Sequence, residues 1–298
     1  PKNTTVKKIS RLISNTPHDV LYLNSFFDPL LTIKPLLARY FFKATKAAVI
    51  VAPRGEFSSG ALRLKRLKKI IYIAFTRIFS IYKGVCYQAS SIYEARDIAT
   101  VLRIPNKKIT IAIDLPEKLY STTTSSLLQS HNNLSKEGLR VIFLSRISPK
   151  KNLDYALNVL KGVSSNVQFD IYGPKEDIDY WTLCLSIIAS MPANIAVNYC
   201  GSVIPADIKK TFSQYDLFFF PTHGENYGHV IAESIGVGTS VLTSDQTPWR
   251  NLDSIGIGWD LPLSNPNAFI DKIEEFAHFS PADRDQRRLM VGEKSLKL

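Results

Sequence analysis

Two carboxylates, Glu225 and Glu233, stand eight positions apart in the stretch HGENYGHVIAE that runs from His223 to Glu233. Gly224 and Gly228 permit a close backbone approach, and the apolar run behind them starts a helix. The backbone N–H groups around Tyr227, Gly228, His229 and Val230 are therefore placed to receive an anion at a helix N-terminus. Glu233 lies about one turn inside that helix, too deep in an apolar run for a generic cap partner, and a carboxylate there suits the two vicinal hydroxyls of a ribose. Glu225 precedes the helix, at the mouth of a site. Upstream, SRISPKKN carries Arg146 and, five residues on, Lys151. A planar guanidinium fork beside a mobile ammonium fits the oxygens of a diphosphate. Taken singly these are ordinary features: a solvated basic loop, and acids that favour a helix terminus electrostatically.

The elements that must hold these residues follow from alternating apolar patterns. In the second half, candidate strands at 139–145, 167–172, 195–199, 217–220 and 239–243 alternate with helical stretches near 153–163, 177–190, 205–212 and 230–234. Strand, loop and helix in repetition specify a parallel sheet covered on both faces, a Rossmann-like domain whose ligands sit beyond the carboxyl ends of the strands. Arg146, Glu225 and the Gly173-Pro174 turn all fall just after such strands, so Gly173 joins the candidate residues. The first half repeats the pattern less completely, with strands near 20–23, 47–52, 84–88 and 108–113 and helices near 31–42, 60–79 and 91–102. The expected organisation is an N-terminal Rossmann-like domain over 1–138, with a polar hinge at 115–138, a C-terminal Rossmann-like domain over 139–280, and an exposed charged helix over 281–298. No G-x-G-x-x-G occurs in the 298 residues, which disfavours a dehydrogenase.

Composition narrows the classes further. An apolar fraction of 45% and a charged fraction of 21% are those of a globular protein. Cys86, Cys184 and Cys200 have no metal-ligand spacing and read as reduced thiols of a cytoplasmic protein. The net charge of +11 is divided unevenly: residues 1–138 hold 22 Lys/Arg against 8 Asp/Glu, or +14, and residues 139–298 hold 15 against 18, or −3. A lopsided positive field suits a polyanionic partner, and it suits a merely soluble basic surface as well. No recognition motif for nucleic acid accompanies it, so nucleic acid is not an expected partner.

These residues resemble the GT-B glycosyltransferases, family 4 among them, whose retaining members carry an E-x7-E motif. Glu225, seven intervening residues and Glu233 reproduce it, and Arg146 and Lys151 match the family's Arg-x4-Lys loop. The resemblance covers most of residues 139–263. It implies an α/β chain of two Rossmann-like domains facing across a cleft, and transfer of a hexose-type sugar from a UDP- or GDP-sugar to a glycan or lipid-linked acceptor. Arg146 and Lys151, with the backbone from Tyr227 through Gly228 and His229 to Val230, would meet the donor diphosphate. Glu233 would hold the ribose, and Glu225 would bind the sugar near the reacting carbon. No metal or other cofactor is expected, because cations and helix amides serve the departing diphosphate.

In the first half the resemblance is looser. APRGEFSSGAL places Arg54 as a candidate for the acceptor or for a donor phosphate, and a turn Arg beside Gly55 would look the same. Asn24 and Ser25 stand where many relatives carry a cleft His. The N-terminal domain reads as truncated, lacking the usual first strand and Gly-rich loop, which keeps open a nucleotide-sugar-binding protein that is inactive or dependent on a partner. Arg63, Lys65, Arg66, Lys68 and Lys69 punctuate an amphipathic stretch that suits an anionic membrane surface at the cytoplasmic face, or else a domain helix with one core face and one charged face.

Overall fold

A computed structural model describes residues 4–63, 66–112 and 138–297. The chain divides into two compact units, 1–114 and 115–298. The expected hinge, apart from Gly138, lies outside the described residues.

The first unit opens with a helix the sequence pattern did not single out, α1 (Val6–Asn15), whose first turn is capped by the Thr5 side chain. Ile9 and Ile13 of α1 pack with Ala38 and Ala44. Four strands follow, β1 (Val20–Asn24), β2 (Ala48–Ala52), β3 (Val85–Ala89) and β4 (Ile109–Ile111), all parallel and adjacent in chain order. Between β1 and β2 the chain runs through a π-helical turn at Pro29–Ile33, where Asp28 accepts from the Leu30 and Leu31 N–H groups, into α2 (Lys34–Phe42). Between β2 and β3 lie α3 (Ser59–Arg63) and α4 (Arg66–Ile78), both within the helical stretch the sequence suggested; residues 64 and 65 lie outside the described ones. Helix α5 (Ile92–Leu102) connects β3 to β4.

The second unit is a six-stranded parallel sheet. Its strands are β5 (Leu139–Leu144), β6 (Val167–Tyr172), β7 (Ile195–Gly201), β8 (Leu217–Phe220), β9 (Ser240–Ser244) and β10 (Gly258–Leu261). They lie in the order β10-β9-β8-β5-β6-β7. Numbered from β5, this is the doubly wound order in which the chain reverses direction between its first and fourth strands, and the crevice at that reversal is the ligand position of such sheets. Helices α6 (Leu153–Leu160), α7 (Ile178–Ile188), α8 (Ile208–Phe212) and α9 (His229–Gly236) follow β5 to β8. All four residues of β8 and five of the six in β5 are buried, which is why both read as continuous apolar runs.

Strand β10 was missed because glycines at 256 and 258 read as loop. Gly258 is required by the sheet, since a Cβ there would lie 2.1 Å from the Val241 carbonyl oxygen. Short α10 (Leu252–Ile255) precedes β10, and α11 (Pro266–Ala277) follows it.

The terminal helix α12 (Pro281–Ser295) corrects the expectation of an exposed element. Ser280 and Asp283 form its capping box, and Arg288, Val291, Gly292 and Ser295 are buried. Arg288, 3% exposed, donates to the Tyr215 and Val237 carbonyls and to Thr239 Oγ1. Arg284 donates to the Gly138 and Ala277 carbonyls and approaches Asp216 at 3.5 Å. The charges of this helix are used inward, as anchors to the second unit.

Candidate functional site

The site of the second unit is built from the loops that leave β5 and β8, the two strands flanking the reversal. After β5 the chain turns through a 3-10 segment at Pro149–Lys151 and enters α6 from Asn152, in left-handed conformation at φ 62°. After β8 it runs through Pro221 to Gly228 and enters α9. Three hydrogen bonds tie these loops: Asn152 Nδ2 donates to the Pro221 carbonyl at 2.8 Å, the His223 N–H to the Lys150 carbonyl at 2.9 Å, and Thr222 Oγ1 to that same carbonyl at 3.1 Å.

Across this seam Lys151 Nζ donates to Glu225 Oε1 at 2.7 Å, with the two side chains 10% and 11% exposed. Thr222 Oγ1 reaches the same carboxylate oxygen at 3.0 Å, and the ammonium stands 5.4 Å from the centre of the Phe220 ring. Sequence reasoning gave Lys151 to the phosphates and Glu225 to the sugar as separate residues. The structure brings them together as one nearly dry ion pair, in which each charge compensates the other's desolvation.

Beside the pair, α9 begins without a side-chain cap. Its N-cap is Gly228 at φ 84°, and Ile231 and Ala232 N–H groups turn back to the Gly228 carbonyl at 2.8 and 3.4 Å. Among the described residues, none accepts from the His229 and Val230 N–H groups. A Cβ on Gly228 would meet Trp249 Nε1 at 3.3 Å and strain the left-handed backbone, so glycine is required. Trp249 packs against the core of the unit and donates from Nε1 to the Tyr227 carbonyl at 2.6 Å, which fixes the turn that aims the helix end. Burial raises the Tyr227 hydroxyl pKa, so that group stays protonated across the physiological range. Glu233 is half-buried on the first turns of α9, as its position in the sequence implied.

Arg146 sits at the start of the β5 loop, and Gly173 on the loop after β6. Arg146 is exposed and pairs with Glu176 at 2.8 Å, apart from the Lys151–Glu225 pair. Gly173, at φ 136°, is held by packing: a Cβ would fall 1.8 Å from the Ser145 carbonyl oxygen, so the loops after β5 and β6 touch only because the side chain is absent.

In the first unit the carboxyl ends of β1 and β2 carry Asn24 and Arg54. Arg54 Nε donates to Asn24 Oδ1 at 3.2 Å and a terminal nitrogen to the Tyr22 hydroxyl at 3.1 Å, so the two candidates meet. Ser25 and Arg54 both adopt left-handed backbone, at φ 83° and 55°. Two acids that sequence reasoning passed over hold them there. Glu56 accepts from Ser25 Oγ at 2.7 Å and from the Phe26 and Phe27 N–H groups, and buried Glu94 accepts from the Gly55 N–H at 2.6 Å and from Ser90. The signal for Glu56 was its place two residues after Arg54 in PRGE.

The chain contains Asp-x-Asp spacings at Asp177–Asp179 and Asp283–Asp285. Asp177 is the N-cap of α7, accepting from the Tyr180 N–H, and Asp283 completes the capping box of α12 by accepting from the Ser280 N–H. Among the described residues no group of three or more His, Cys, Asp or Glu is arranged to hold a metal ion.

Two parallel sheets in separate units, the second doubly wound with its charged pair at the reversal, define an α/β chain of the GT-B type. It belongs to the glycosyl transferases group 1 family, whose sequence model matches residues 127–289. The chain is similar to an uncharacterized 41.2 kDa protein in the cps region of Klebsiella pneumoniae, 26% identical over 97% of this chain and 78% of that protein. Its fold resembles HepE of Anabaena, solved with UDP and glucose, at a TM-score of 0.72 and 14% identity over 98% of this chain and 76% of the other. It also resembles WaaG, a glycosyltransferase involved in lipopolysaccharide biosynthesis, at a TM-score of 0.63 and 12% identity over 97% and 90%.

Proposed function

We infer that the chain moves a hexose-type sugar from a UDP- or GDP-sugar to a glycan or lipid-linked acceptor, with retention and without a divalent metal, in the manner of the E-x7-E enzymes of family 4. The observation that carries this reading is the Lys151–Glu225 pair at the sheet's reversal, beside the uncapped start of α9. A donor diphosphate against the His229 and Val230 N–H groups gains the helix dipole and competes with Glu225 for the Lys151 ammonium. Glu225, turned from lysine to sugar hydroxyls, then becomes a group whose hydrogen bonds strengthen as positive charge develops at the anomeric carbon. Glu233 holds the ribose, and Arg146 leaves its exposed partner Glu176 for the outer phosphate oxygens. Arg54, steadied by Asn24, receives the acceptor side. The relative from the cps region and the likeness to a lipopolysaccharide enzyme support a polysaccharide or glycolipid product.

The same reading puts the protein at the cytoplasmic face of a membrane through α4. No described helix is long and apolar enough to cross one. A thermal-shift screen of UDP-, GDP- and ADP-sugars followed by release of nucleoside diphosphate with candidate acceptors tests the donor and the turnover together. Stabilisation without release, across acceptors, points instead to a binding protein.

A further inference from the structure

Helix α4 is turned inside out. It buries Thr76, seats Tyr72 and Ile73 against the core of its unit, and folds Lys69 inward, where Nζ donates to the Ala61 carbonyl at 2.7 Å and lies over the Phe27 ring. Leu67, Ile70, Ile71, Ala74, Phe75 and Ile78, which share one helical face, are all exposed, Leu67 and Ile78 by more than three quarters. Exposed Arg66 and Lys68 border the stripe on either side. This corrects the reading of Lys69 as a surface cation. Arg63 and Lys65 have no described side chains. A domain helix with a core face and a charged face would show the reverse arrangement.

The stripe continues onto a second element. Arg39 donates to the Lys83 carbonyl at 2.9 Å, which ties the end of α2 to the loop after α4. Between them opens a cavity of about 700 Å³ lined by Arg39, Tyr40, Lys43, Lys46, Phe79 and Lys83, among others. Tyr40, Phe41 and Phe42 are exposed around it, as are Lys43, Lys46 and Lys83. Glu56 is the one carboxylate in the sequence from Pro29 to Lys83, and it is occupied by Ser25, Phe26 and Phe27. An apolar stripe with a cationic hollow at its end is complementary to a bilayer surface that presents both acyl chains and phosphates.

We propose that α4 and the end of α2 form one bilayer-docking face, and that the hollow between Lys43, Lys46 and Lys83 takes the phosphate of an anionic lipid headgroup. This rests on the reading of α4 as the membrane helix and adds the headgroup site, which the sequence placed nowhere. The test is flotation of the full chain with vesicles of phosphatidylcholine alone or mixed with phosphatidylglycerol. The expected result is binding to the mixed vesicles, lowered about 30-fold by Lys43→Glu with Lys83→Glu and abolished by Leu67→Ser with Ile71→Ser and Ile78→Ser, with unchanged circular dichroism for both variants. If the charge variant binds as the parent does while the serine variant does not, the headgroup site is overturned and the α4 reading survives. Absence of binding by the parent overturns both. A concentration-dependent dimer in sedimentation, lost in the serine variant, overturns them in favour of a second copy as the occupant.

Discussion

The two units use the same alternation of strand and helix to opposite ends. In the second, α6, α9, α11 and α12 turn their apolar residues onto a sheet whose central strands are dry, and the surplus charge is spent inward on Arg288 and the Lys151–Glu225 pair. In the first, a four-stranded sheet leaves apolar surface on β1, α2 and α4 uncovered, with cations around it. One unit concentrates a charged pair at a strand reversal; the other leaves an apolar surface exposed. Charge in the second unit is paired inward, whereas in the first Arg66, Lys68, Lys43, Lys46 and Lys83 stand exposed beside uncovered apolar side chains, as the proposed docking face requires.

The contrast breaks most readily at Glu225. Glu225→Ala should lower turnover by about a hundredfold to a thousandfold, measured as release of nucleoside diphosphate, with donor affinity kept or raised because Lys151 loses its competitor. Equal turnover would remove the second unit from the chemistry. Lys151→Ala leaves a carboxylate with no counter-charge in a nearly dry site and should cost about 3 kcal/mol of stability in urea melts, most of it recovered by adding Glu225→Gln. Additive losses would mean the pair is not coupled.

Arg288→Met exposes the dependence of the second unit on its inward charges. Loss of donors to two carbonyls and one hydroxyl should lower stability by about 2 kcal/mol, read as a loss of cooperativity in the same melts. The first unit offers the opposite response at Asp97, whose carboxyl is pushed up to about 6 by burial and by Glu94. A folded carboxyl that holds its proton more tightly than the unfolded one loses stability as pH rises from about 4 to about 6. Asp97→Asn should therefore raise the melting temperature at pH 7 and leave it unchanged near pH 4; a gain at both would assign the effect to packing. The smallest change is expected at Arg146→Ala, whose exposed pair with Glu176 contributes under about 1 kcal/mol. Its stability should hold while donor affinity falls.

Much of this was legible beforehand. The runs LRVIFL, VQFDIY and LFFF announce β5, β6 and β8 because strands buried on both faces are continuously apolar, and the glycine before His229 marks where α9 starts. What escaped was whatever glycine or local charge disguised. Strand β10 hides behind Gly256 and Gly258, and α12 looks solvated because its arginines are written in the sequence without the carbonyls they serve.

The family resemblance, the parallel second sheet, the acid spacing of Glu225 and Glu233 and the uneven charge can all be read along the chain, since periodicity and spacing are local quantities. That Lys151 and Glu225, 74 positions apart, share one hydrogen bond follows from the folded chain alone. Likewise only the fold decided that α4 faces outward with its leucine and isoleucines. An apolar stripe states that a face exists, and the packing of the neighbouring elements decides whether protein is there to cover it.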